Sequence, residues 1–145
     1  MIMRKTGLMM LAAAACALTM AGAAEAKKKP EFSLEDMFGP HKTEAELREA
    51  LDEAAAFPLG SDKNPIRADM PPGQRAYLAR LRCSDGRAPQ FERGGSVGAG
   101  PYGSIVDVYH VRCAGALPAQ SSIYIDMYHN HVETRPVTGF TIVAP

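Results

Sequence analysis

The 145-residue chain has no tryptophan, no net charge, with 16 basic residues against 16 acidic ones, and only three cysteines. The lack of charge of one sign excludes a nucleic-acid partner held by bulk electrostatics. The chain is too short for two ordinary domains, and at 46% hydrophobic and 22% charged it is too apolar for a disordered tail. A strongly inserting membrane span is also missing. The uncharged run from Gly7 to Ala24 covers 18 residues, the lower edge of a span, but it is rich in alanine, which drives insertion far less than leucine.

What stands there instead is a signal for export. Arg4 and Lys5 form a basic start, an apolar stretch runs from Leu8 to Met20, and small residues follow where signal peptidase cuts. Cleavage after Ala23 or after Ala26 fits the A-x-A rule, and the second choice gives a signal over 1–26. A lipoprotein site at Cys16 would need a large aliphatic residue three places earlier, where Ala13 stands. Export points to the bacterial periplasm, with no transmembrane segment after cleavage. Removing Arg4, Lys5, Glu25 and Cys16 leaves 14 basic against 15 acidic residues and two cysteines, Cys83 and Cys113.

The rest of the chain divides near Pro58. Residues 27–42 read as a linker with a short helical turn from Ser33 to Gly39, and 43–145 as a single α+β domain. Thr43 and Glu46 have capping-box spacing, and Leu47, Ala50, Leu51, Ala54 and Ala55 recur at helical period, which predicts a helix over 44–56. The region 60–145 has the punctuation of strands: Gln74 to Cys83 alternates, Ile105 to Cys113 is a strongly β-branched run, and Ser122 to His129 and Phe140 to Ala144 follow. The expectation is an N-terminal amphipathic helix packed on a small, mainly antiparallel sheet of four to five strands. In an oxidising compartment Cys83 and Cys113 form one disulfide. Cysteines at the ends of two strands separated by a third would lie beyond disulfide reach, so 74–83 and 105–113 must adjoin or one must bend over the other.

Three short motifs carry possible chemistry. Gly98 to Gly103 spells G-x-G-x-x-G, but Pro101 and the run Ile105-Val106 stand where a dinucleotide site needs a helix, so no cofactor is expected. Gly94-Gly95-Ser96-Val97-Gly98 spells the G-x-S-x-G of serine hydrolases, with Asp107 or Asp126 and His129 or His131 following in order. The chain is short for that scaffold, and the glycines suit a turned surface loop better. His129, Asn130, His131, Val132 and Glu133 put two imidazoles and a carboxylate on one face of an extended segment, as a zinc or copper site would.

After Leu59 the basic residues are eight arginines and one lysine. Arg80 and Arg82 would share a strand face that His110 and Arg112 could join, making a cationic patch for an envelope protein, a glycan or an anionic ligand. The competing reading is a solvated face paired with Asp62, Asp85, Glu92 and Asp107. With nothing catalytic well formed, the sequence favours a non-enzymatic binding or envelope-associated protein. The alternatives are a metal-binding protein or metal-dependent enzyme built on His129, His131 and Glu133, and a Ser96 hydrolase.

Overall fold

A computed structural model describes residues 42–145. The export signal, the linker up to residue 41 and the turn expected at Ser33 to Gly39 lie outside the described residues. The first helix, α1, spans Glu44–Ala54. Its capping box is formed: Thr43 Oγ1 accepts from the Glu46 N–H at 3.3 Å, and the Thr43 N–H donates to Glu46 Oε2 at 2.7 Å. The helix ends two residues earlier than its apolar period suggests. The Ala56 and Phe57 N–H groups reach back only three residues, to Glu53 and Ala54, tightening the last turn ahead of Pro58. Ala50 and Ala54 bury themselves against Tyr102, with Leu47 and Leu51 alongside.

The main sheet has five strands, β1 (Ile66–Asp69), β3 (Gln90–Ala99), β4 (Ile105–Arg112), β5 (Gln120–Asp126) and β6 (Tyr128–Val132), in the order β3-β4-β5-β1-β6. All neighbours are antiparallel except β1 and β5, where Ile66 pairs with Ile125 and Arg67 with Asp126. A second sheet of two short strands joins β2 (Leu81–Arg82) to β7 (Thr141–Ile142). The architecture is therefore α+β, as the strand pattern and the capped helix imply.

The segment from Gln74 to Cys83 is where the sequence misleads. It is not a strand: Met70–Arg80 forms a second helix, α2, and only Leu81 and Arg82 are extended. The buried positions Gln74, Tyr77, Leu78 and Leu81 follow the helical i, i+3, i+4, i+7 spacing, but the polar Gln74 disguises that stripe and leaves an apparent alternation. Pro71 and Pro72, at the helix start, carry the signal that was there to be read. It is α2, rather than α1, that covers the sheet. Tyr77 and Leu78 pack with Ile66, Ala68, Tyr109, Val111, Ile123 and Ile125 in the core.

The glycine-rich run is also not a surface loop. Residues 94–99 belong to β3 and pair with β4, with register shifts between Arg93 and Gly95 and between Ser96 and Gly98. Gly95 (φ +130°) and Gly98 (φ +95°) take backbone conformations that side chains disfavour, which is why bulges settle at these positions. The hairpin tip is closed by Gly100 N–H to Ser104 O at 2.7 Å and buries Tyr102. The strand expected over Ser122 to His129 is instead split: β5 stops at Asp126 and the two histidines ride on the edge strand β6.

Cys83 and Cys113 are bonded, with a Cα–Cα separation of 5.9 Å. They meet because β2 leaves the main sheet to pair with β7, not because their strands adjoin within one sheet. Close packing near this core sets a test. Gly60 has φ +84°, and a Cβ there would come 2.5 Å from Val137 Cγ1. Gly60→Ala is expected to lower stability by about 2 kcal/mol through backbone strain and overpacking, read as a shifted urea midpoint with unchanged slope.

Candidate functional site

The features that converge lie where β1 runs into α2. There is no connecting loop: Asp69 ends the strand and Met70 opens the helix. Met70 adopts φ +54°, the one non-glycine residue with positive φ among the described residues, and its N–H donates to Met127 O at 2.7 Å. Such a conformation costs on the order of 1 kcal/mol and persists only where its surroundings impose it. Here the imposed turn sets the first turn of α2 beside the strand pair β1 and β6, and a cavity of about 340 Å3 opens between them. Ala68, Gly73, Ala76, Tyr77 and Val132 supply its apolar wall, and Arg67, Asp69, Arg80, His131 and Glu133 supply polar groups. A second cavity of about 190 Å3, walled by Leu51, Leu59 and Tyr102, shares Arg67 and Glu133 with the first.

Glu133 is the fixed point between them. Its side chain is 5% exposed, yet its oxygens are fully engaged. Oε1 accepts from the N–H groups of Thr134 and Arg135 and from Arg135 Nε, each at 3.0 Å, and Oε2 accepts from Arg135 Nη2 at 2.8 Å. Burial alone would raise its pKa, but these donors and the Arg135 charge outweigh it and hold the carboxyl down at about 2. A carboxylate this tightly held is a poor proton acceptor. Arg80 Nη2 donates to the Glu133 carbonyl at 2.6 Å, and its guanidinium lies 5.8 Å from the Tyr77 ring centre. The Tyr77 hydroxyl donates to Arg135 O at 3.0 Å, and burial raises its pKa well above that of an ordinary phenol.

His131 Nε2 stands 3.8 Å from Glu133 Oε2. Burial, then the charges of Arg67 and Arg135, lower its pKa despite the neighbouring carboxylate. The shift favours the neutral imidazole. Arg67 differs from every other cation here. It is half-buried, it borders both cavities, and among the described residues its side chain makes neither a hydrogen bond nor an ion pair.

The sequence candidates distribute as follows. His129 faces Asp126, Nε2 to Oδ2 at 3.1 Å but without the alignment of a hydrogen bond, and its ring meets Tyr102 edge to face at 5.7 Å. His129 and His131 are thus directed to different carboxylates, and among the described residues no three His, Cys, Asp or Glu side chains are grouped to hold a metal ion. Ser96 lies exposed on β3, at the opposite edge of the sheet from the histidines of β6. Four strand spacings, about 19 Å, separate those edges, so no Ser96 and histidine pair from these strands forms.

The arginine patch is not assembled either. Arg80 ends α2, and Arg82 Nη1 donates to the carbonyls of Ala79 and Leu81 at 2.8 and 2.7 Å. His110 and Arg112 are on the outer face of β4, where Arg112 pairs with Glu92 at 3.3 Å. The two pairs line no common cavity, because Arg80 leaves a helix rather than a strand. Part of the solvated pairing is formed, since Arg87 meets Asp85 at 2.6 Å, whereas Arg93 grips the buried Asp107 through two bonds at 2.8 and 2.6 Å. Asp107 also accepts from Gln74 at 3.1 Å, whose amide oxygen accepts from Tyr109, closing a buried network under α2.

Arg67, Asp69 and Tyr77 escape a sequence reading because they are brought together by the junction of β1 and α2. The one available signal is Pro71-Pro72 directly after an alternating run, which marks a strand passing straight into a helix. Comparison with family models, curated proteins and solved structures returns no match to this chain, so the site is read from its geometry.

Proposed function

We propose that this protein is exported and acts as a non-enzymatic binding module that holds a small molecule with an apolar body in the cleft between α2 and β6. The observation that carries the reading is the 340 Å3 cavity with walls of Ala68, Gly73, Ala76, Tyr77 and Val132, a size and lining typical of small-ligand sites. The strained Met70, next in the chain to Asp69 of the cavity lining, supports it, since such strain gathers at functional positions. Binding is favoured over catalysis because Glu133 is saturated by its donors and Tyr77 stays protonated, which leaves no well-placed nucleophile and base together. Export rests on the sequence signal and is checked by intact mass, which should show a chain starting at Ala24 or Lys27.

The neutral dye N-phenyl-1-naphthylamine tests the cleft. Saturable fluorescence enhancement is expected with the native protein. Ala76→Phe fills the cavity from an exposed position of α2 and should weaken the dye by about tenfold with the thermal midpoint unchanged. Unsaturable dye uptake, or equal affinity in the Phe variant, overturns the reading.

A further inference from the structure

The charges around the two cavities do not balance in detail. Arg67, Arg80 and Arg135 border them, against Asp69 and Glu133. Glu133 is matched by the fork of Arg135, and Arg80 gives its Nη2 to the Glu133 carbonyl and faces the Tyr77 ring, while its Nη1 is buried without a partner among the described residues. Asp69 lies exposed at the rim and forms no hydrogen bond or ion pair with Arg67. Asp126 is the register partner of Arg67 across β1 and β5, but it is fully buried against His129 and lines neither cavity. Arg67 is left as a half-buried guanidinium with five N–H donors and no acceptor among the described residues. Buried and half-buried donors without acceptors are costly, and a guanidinium matches a carboxylate in shape and charge.

Resting on the cleft reading above, we propose that the ligand is an amphipathic monoanion, a medium-chain aliphatic carboxylate, with its head group on Arg67 and its chain along the apolar wall. Arg67 brings a full fork of open donors to the cleft, which suits a carboxylate head group. Asp69 at the rim disfavours a more highly charged head group such as a phosphate dianion. The wall of Ala68, Gly73, Ala76, Tyr77 and Val132 offers an alkyl chain contact without polar groups.

Calorimetric titration of the purified protein with octanoate, 1-octanol and octylamine tests this. Octanoate is expected to bind about tenfold more tightly than 1-octanol, although the alcohol is the more hydrophobic, and octylamine more weakly than either. Arg67→Gln should cost octanoate about tenfold and 1-octanol far less, so that retained octanol binding shows that the variant keeps its cleft, while Arg67→Lys restores part of the loss. Equal binding of octanoate and 1-octanol, or an Arg67→Gln variant that still prefers the anion, overturns the carboxylate inference and leaves the apolar cleft standing. Absence of binding by the dye and by all three octyl compounds removes both.

Discussion

Replacing Cys83 and Cys113 together by serine is expected to lower the free energy of unfolding by about 3.6 kcal/mol, the chain-entropy value for releasing a 30-residue loop. Both half-cystines are 4% exposed, so the change also puts two hydroxyls into the core beside Leu81, Val111 and Phe140. The native geometry around the bond does not depend on it alone. Ser84 N–H donates to Leu117 O at 2.9 Å, Arg87 Nη2 to Ala114 O at 3.0 Å, and Leu117 N–H to Ser84 Oγ at 3.0 Å. These links join the same two turns from the outside, so the variant should still fold, with a melting temperature lower by roughly 15 °C or more. Urea titrations of the oxidised protein, the reduced protein and the double serine variant measure the loss. A difference below about 1 kcal/mol would mean that the segment 83–113 stays restrained after the rest unfolds.

How far the molecule could be read from its residues follows from the range of the interactions involved. The α1 helix was legible because its capping box and its alanine stripe are local, and β4 because its β-branched run admits no other period. The disulfide was legible through the parity of cysteines left once the expected signal is set aside. The 70–80 helix was not, because its buried face begins with Gln74, and that glutamine is there to serve Asp107 and Tyr109, two residues over 30 positions away. Arg67 is harder still. In Ile66-Arg67-Ala68-Asp69 it reads as the solvent side of an alternating strand, and only the abrupt strand-to-helix junction places it at the wall of a cavity. Glu133 was picked out for the wrong chemistry: the spacing suggested a metal ligand, while Arg135, two residues on, holds its carboxylate.

That hold has a pH signature. Glu133 has a folded-state pKa of about 2 against an ordinary value of 4.5. Its contribution is fully present above pH 4.5 and is lost as the pH falls through 2, because the unfolded chain takes up the proton first. The difference corresponds to about 3 kcal/mol. Asp107, also held below its ordinary value by Arg93 and Gln74 against the opposing effect of burial, acts in the same direction. His131 has its pKa lowered, so its penalty for protonation enters in a separate window, below its ordinary 6.5.

Glu133→Gln keeps the shape of the side chain but gives up the charge that Arg135 and two backbone N–H groups surround. It is expected to cost about 3 kcal/mol at pH 7 and to flatten the fall in stability between pH 4.5 and 2, leaving the smaller slope due to Asp107. The loss that begins below pH 6.5 should remain and deepen, since it belongs to His131, which in the variant no longer has the neighbouring carboxylate that favours its protonated form. Urea midpoints across pH 2 to 8 for both proteins separate the two windows. An unchanged acid slope in the Gln variant would move the acid sensitivity to other carboxylates and would mean that Arg135, 69% exposed, is too well solvated to hold Glu133 as the geometry requires. A flattened slope identifies Glu133 as the source of the acid sensitivity, a carboxylate kept ionised by the Arg135 fork and two backbone N–H groups.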